Sequence, residues 1–299
     1  MKFALHAVGC GSTAHPEMLA QVARKAEELA FESVWIPEHL VVPMAMRTAY
    51  PYAADGKFPG GARVALHDPF VALAFVAACT SRLRLGTGVF VLPLRNTVAV
   101  AKAVASLDVL SNGRLLFGVG VGWLEEEFEA VGMPFQDRAA RTREAIRVMK
   151  RLWADDAPSF AGRFHNFAPL GFNPKPIQRP HPPIILGGES RAALKRAGEI
   201  GDGWIGVAHT PETVQPLIST VREHAARAGR DPDGLEITVG PAPGVTLDRD
   251  AVRAFAKAGV HRLIAFSPGF VPRARIESDL FPLLERFAAT VIAAARDRE

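Results

Sequence analysis

Four short stretches of this chain carry residue types at spacings that can do chemistry. Glu38 and His39 stand side by side. A carboxylate beside an imidazole, the side chain that titrates nearest neutral pH, can bind the polar edge of a ring or move a proton. The same two residues also make an ordinary surface-loop pair. Gly86-Thr87-Gly88-Val89 interrupts a β-branched, apolar run. Glycines inside a strand mark a bulge, a tight bend or a close approach of backbone to a ligand. Gly118-Val119-Gly120-Val121-Gly122-Trp123 loosely follows a dinucleotide fingerprint, but the last glycine of that motif would fall where Trp123 stands. Its glycines still let backbone come close to a cofactor. Gly187-Gly188-Glu189-Ser190 opens a helix, where free N–H groups and the helix dipole accept phosphate. The alternative there is a plain capped turn, and Glu189 is an unhelpful charge unless it points away.

Other chemistries lack their residues. The nine histidines include no HExxH and no pair at metal-ligand spacing, so no metal site is expected. Neither GxSxG nor a Walker loop is present. Glu125-Glu126-Glu127 reads as acids placed favourably at a helix start. Arg138, Arg141 and Glu144 recur at helical spacing and read as a salt-bridged face.

The elements that must position these residues alternate from end to end. Strands are expected at Lys2–Val8, Ser33–Pro37, Arg82–Leu92, Arg114–Val119, Pro183–Leu186, Gly203–Val207, Leu235–Val239 and Arg262–Phe266. Helices are expected at Pro16–Ala30, Asp68–Cys79, Thr97–Leu110, Glu125–Trp153 with a break at Gly132–Pro134, Ser190–Ile200, Pro211–Ala228, Arg249–Ala258 and Ile276–Arg296. Eight strand–helix pairs in succession predict a closed (βα)₈ TIM barrel, with an open doubly wound sheet as the alternative. The candidate residues fall just after the strands, and in such a barrel the strand C-termini form the active mouth. Two irregular excursions, Leu40–Leu66 and Asp155–Pro182, are insertions after strands two and four and are expected to cover that mouth.

Composition agrees with an enzyme of this build. The chain has 299 residues, 48% hydrophobic and 22% charged, which is enough for a sizeable core. The net charge of +4 is spread without a basic block, which suits an anionic small ligand and argues against nucleic acid. Cys10 and Cys79 form no CxxC, and no apolar run approaches the ~20 residues of a membrane span. A cytoplasmic protein without membrane attachment is expected.

Residues 82 to 135 resemble the central stretch of luciferase-like flavin monooxygenases and deazaflavin oxidoreductases. Ala26–His39 and Phe160–Trp204 are similar to the same family, and the likeness runs in order from the N-terminus to about residue 230. Tyr50–Gly60 points to the branch assigned to coenzyme F420. The resemblance implies one barrel domain over residues 1–299, a homodimer, and hydride transfer between F420 and a small organic substrate. An FMN-dependent monooxygenase fed by a separate flavin reductase, and a non-catalytic flavin-binding paralogue, are the competing readings. By the same resemblance, His39 lies beside the tricyclic ring and is the catalytic residue, with Glu38 in a place usually held by aspartate. Gly88-Val89 matches the family's non-prolyl cis peptide behind the ring. Gly120 and Gly122 match the backbone wall beside the ribityl chain, and Gly187-Gly188 matches the phosphate clasp. Trp123 replaces the glutamate of the sugar-phosphate dehydrogenase branch, which implies a more apolar or aromatic substrate in contact with Trp123.

Overall fold

The computed structural model describes residues 1–53 and 55–296. Eight parallel strands close on themselves. β1 (Lys2–Leu5) pairs with β2 (Ser33–Ile36), and β2 with β3 (Arg84–Thr87). β3 pairs with β4 (Leu115–Gly120), β4 with β5 (Ile184–Gly187), and β5 with β6 (Gly203–His209). β6 pairs with β7 (Glu236–Pro241), β7 with β8 (Arg262–Phe266), and β8 with β1. The β3–β4 and β8–β1 pairings complete the ring, which excludes the open sheet and leaves no bare edge.

The helices that wrap the barrel are α1 (Pro16–Glu28), α2 (Pro69–Cys79), α3 (Thr97–Leu110), α4 (Glu125–Ala130), α5 (Arg138–Ala154), α6 (Arg191–Ile200), α7 (Pro211–Arg227) and α8 (Arg249–Lys257). The eighth helical segment is α9 (Phe281–Phe287) and α10 (Ala293–Arg296), with π turns before each. Polar side chains cap α2, α3 and α6: Asp68, Asn96 and Ser190 accept N–H bonds from their first turns.

Two strand boundaries differ from expectation for a backbone reason. Strand one stops at Leu5 because Ala7 takes a left-handed φ of 53°. Strand three ends at Thr87 and resumes as Phe90–Val91, and the peptide between Gly88 and Val89 is cis. The helical stretch after strand four divides into α4 and α5 at the expected break, with Gly132 left-handed at φ 69°.

The barrel interior is filled, not hollow. Trp35, fully buried, packs with Ala4, Leu116, Ile185 and Ile205. A Cβ on Gly86 would lie 2.3 Å from the Trp35 indole, so glycine at 86 answers a packing demand. At the strand N-termini the barrel is closed by Arg262, whose guanidinium bonds Glu32 and Glu236 at 2.7 Å and Thr238 at 3.0 Å. A buried charge survives there because its donors are matched.

Only the first excursion lies over the mouth. It leaves β2 at Glu38 and returns to the exit of β1, where Leu66 bridges Cys10 and the Gly11 N–H bonds the Ala65 carbonyl. Two α4 carboxylates hold it down. Glu126 accepts N–H bonds from Arg47 and Thr48 and a 2.7 Å bond from the Thr48 hydroxyl. Glu127 accepts the Leu40 N–H at 2.6 Å. The Glu125–Glu127 run therefore does more than complement a helix dipole. The second excursion starts at the far end of α5, so it climbs the outside of the barrel instead of roofing it. Its small hairpin, Phe160–Ala161 with Asn166–Phe167, is pinned by Glu144, which accepts N–H bonds from Arg163, Phe164 and His165. The His165 ring bridges Glu144 and Thr97. Trading partners with the loop makes Glu144 a loop anchor, not a member of a surface salt-bridge ladder.

The Thr48 hydroxyl and the Arg47 and Thr48 amides hold the Glu126 carboxyl down at about 2. An acid whose folded-state pKa lies below its unfolded value of ~4.3 stabilises the fold fully above that value, and the contribution fades as pH falls towards 2. Glu126→Gln is expected to cost about 1–3 kcal/mol at pH 7 and to expose residues 41–53 to proteolysis. The stability gap between wild type and variant, measured by urea melts, should shrink below about pH 4.

Candidate functional site at the barrel mouth

His39 follows β2 and is nearly enclosed. Its Nδ1 lies 2.9 Å from Glu127 Oε2, and the Glu127 side chain is buried. A carboxylate with both oxygens accepting leaves the proton on Nδ1, so in the neutral ring Nε2 carries the free lone pair. Nε2 makes no hydrogen bond to any described residue. Aromatic rings surround the imidazole. Phe58 meets it edge-on at 4.8 Å and Trp123 at 5.7 Å between centroids. Tyr50 adds to the same cluster, 5.2 Å from Trp123 and 5.5 Å from Phe58. Tyr50 and Phe58 come from the first excursion, so this loop supplies half of an apolar wall around one polar nitrogen.

Val89 forms a second centre. A Cβ on Gly120 would fall 2.8 Å from Val89 Cγ2, and one on Gly187 would fall 3.1 Å from Val89 Cγ1. The Val89 side chain thus fills space that side chains at 120 and 187 would need. Gly88 donates its N–H to the Ile36 carbonyl at 2.8 Å, and its own carbonyl lies 2.7 Å from His6 Nε2. Burial lowers the His6 pKa, with the Gly88 contact pulling the other way. A neutral His6 with its proton on Nε2 fits that bond.

The other expected residues are placed as follows. Glu38 points into the wall, where it accepts the Val91 N–H at 2.5 Å and pairs with Arg95. Arg95 in turn bonds Asp68 and lies over the Phe90 ring. Gly122 is left-handed at φ 82°, with Phe128 and Val91 where a Cβ would sit. Gly188 is left-handed at φ 105°, and its carbonyl accepts the Trp204 indole N–H at 2.9 Å. Glu189 turns from the α6 entrance to accept the Val207 N–H at 2.9 Å and to meet His209 Nε2 at 3.0 Å. Tyr52 lies within its field. Burial, then Glu189 and Tyr50, pushes the Tyr52 hydroxyl up to about 12, so it stays protonated.

His39 and Trp123 thus meet directly, and Val89, Gly120 and Gly187 meet directly. Glu38 and Gly188 belong to the supporting wall. Sequence reasoning missed Glu127, His6, Arg95 and the Glu189–His209 pair, because each acts through a partner distant in the chain. Among the described residues, no group of three His, Cys, Asp or Glu is placed to hold a metal. No helix among them is long and apolar enough to cross a membrane. Two open clefts, of about 420 and 430 Å³, lie at the opposite face beside Met1, away from these residues.

Comparison with known proteins agrees with this geometry. A family model described as luciferase-like monooxygenase matches residues 1–297. An uncharacterized protein of Mycobacterium tuberculosis is 32% identical over 273 residues, 90% of this chain and 92% of that one. An F420-dependent glucose-6-phosphate dehydrogenase of Kineococcus radiotolerans is 34% identical over 234 residues, 75% of this chain and 63% of that one. The crystal structure of a monooxygenase from Streptomyces bottropensis superposes with a TM-score of 0.75 at 25% identity, covering 99% of this chain and 100% of that one. With the closed barrel, the cis peptide after β3 and a family match over nearly its whole length, this chain belongs to the luciferase-like monooxygenase family.

Proposed function

We propose that this protein is an oxidoreductase that moves a hydride between coenzyme F420 and a small, partly apolar or aromatic organic substrate. The observation that carries the reading is His39, held at Nδ1 by Glu127 with Nε2 free among aromatic rings. The similarity to an F420-dependent dehydrogenase over three quarters of the chain supports the choice of cofactor.

The residues present fit a tricyclic ring. Val89 offers an apolar backstop that glycines at 120 and 187 leave room for. Glu38 supports that backstop from behind, through the Val91 N–H. Gly120 and Gly122 would lie along the ribityl chain, and Gly187-Gly188 along the phosphate. When bound, the cofactor supplies the hydride acceptor or donor. His39 orients the polar edge of the ring and holds or moves, at Nε2, the proton that accompanies the hydride. Glu127 fixes the tautomer that makes this possible. Trp123, Tyr50 and Phe58 exclude water and contact the substrate.

The competing reading is an FMN-dependent monooxygenase, which the likeness to the Streptomyces enzyme favours. A titration of the apo protein separates the two: F420 is expected to bind at least tenfold tighter than FMN. Tight FMN binding with substrate-dependent oxygen uptake from reduced FMN would reverse the assignment. His39→Asn is expected to lower turnover by roughly 10²–10⁴-fold while ring binding changes little. Glu127→Gln should cost less, because an amide keeps one acceptor for the loop or the imidazole but not both.

A homodimer is also proposed. α2 is apolar around its circumference and leaves Val71 and Phe75 exposed, which is unusual for a helix facing water. Sedimentation should show a dimer in the wild type and a monomer in a Val71→Glu/Phe75→Glu variant.

A further inference from the structure

Glu189 follows the end of β5, and His209 is the last residue of β6. Both stand at strand C-termini, on the mouth side of the barrel. One oxygen of the Glu189 carboxylate carries two contacts. Oε1 accepts the Val207 N–H at 2.9 Å and lies 3.0 Å from His209 Nε2. The other oxygen, Oε2, makes no hydrogen bond to any described residue and is open to solvent. Burial works against the charge, but the His209 and Val207 contacts outweigh it and hold the Glu189 pKa below its usual value. Between those two partners Ala208 is left-handed at φ 61°, a conformation that residues with side chains avoid and that gathers at functional sites.

A run of rings joins this carboxylate to the imidazole of His39. Tyr52, on the first excursion, lies in the field of Glu189. Its ring meets Tyr50 at 5.5 Å, Tyr50 meets Trp123 at 5.2 Å, and Trp123 meets His39 at 5.7 Å. The hydroxyls of Tyr50 and Tyr52, like His39 Nε2, make no hydrogen bond to a described residue. The aromatic wall therefore has an imidazole nitrogen at one end and an anionic oxygen at the other. Tethering the end of β6 occupies one Glu189 oxygen, and the neutral amide of glutamine would serve it equally. The charge and the second oxygen are left over. An ionised carboxylate accepts hydrogen bonds and donates none, so that oxygen favours a donor and disfavours an anion.

We propose that Glu189, assisted by Tyr52, recognises the end of the substrate remote from His39, and that this end carries an amine or a hydroxyl and no anionic group. The proposal rests on the reading of the mouth as the substrate site. It narrows the substrate class to aromatic or apolar amines and alcohols, and it turns away carboxylic acids and phosphate esters.

The test is an NMR titration of the apo protein with benzylamine, benzyl alcohol, benzoate and benzyl methyl ether, which share one ring and differ in the polar end. The amine or the alcohol is expected to bind about tenfold tighter than the ether or benzoate, the range of a charge-assisted hydrogen bond. In Glu189→Gln, which keeps an acceptor for Val207, that preference should fall towards one while the ether binds as before. Tyr52→Phe should lower it about threefold, as for the loss of one neutral hydrogen bond. Preference for the amine alone identifies an ammonium end; equal preference for the alcohol identifies any donor. Equal binding of all probes by the wild type, no binding of any, or a preference kept in full by Glu189→Gln overturns the proposal. Should Glu189→Gln not fold, Tyr52→Phe decides, and an unchanged preference there overturns it. The probes are read without cofactor, so the two readings fail separately. If neither F420 nor FMN binds, the cofactor reading has failed, and the probe preference still decides the role of Glu189.

Discussion

The carboxylate of Glu127 is the joint on which the mouth of this barrel depends. One oxygen holds the main chain of the first excursion at Leu40 and Val41, and the other holds the imidazole of His39. A buried anion is tolerated only where its lone pairs are met, and here every partner is a group that the site must position. The loop that carries Tyr50 and Phe58 and the imidazole they surround are thus fixed by the same atom pair. Glu126, the preceding residue, grips the same loop a few residues on, at Arg47 and Thr48. The two carboxylates lie on α4, a helix of six residues whose main task is to present them.

The second constraint is volume. Inside the barrel, Trp35 takes the space that a side chain at 86 would need, and at the mouth Val89 does the same at 120 and 187. Glycine at these positions follows from what lies opposite. The consequence is an apolar Val89 side chain occupying the space that side chains at 120 and 187 would take.

Much of the framework was legible in the sequence because periodicity and punctuation carry it. Strand and helix order and the break at Gly132-Pro134 are local signals, and each is found in place. The cis bond at Gly88-Val89 was not local in that sense. The glycines marked an irregularity, but only the likeness to a family said which one. Tertiary bookkeeping was invisible. Nothing in Glu125-Glu126-Glu127 tells that the second and third face inward, 79 and 87 residues from Arg47 and Leu40. The path of the second excursion was misjudged for a similar reason. Its position in the chain after strand four hid the fact that it begins at the end of α5, on the opposite side of the barrel from the mouth.

The placement of Glu189 shows how charge is distributed at the α6 entrance. Left beside Gly188 and pointing inward, its carboxylate would repel any anion brought there. The Val207 N–H and the His209 ring draw it sideways, towards β6, and His209 is itself braced by Thr213. The negative charge is therefore spent on the neighbouring strand end, close to Tyr52. The Glu189 carboxylate is thus held on the β6 side of the entrance.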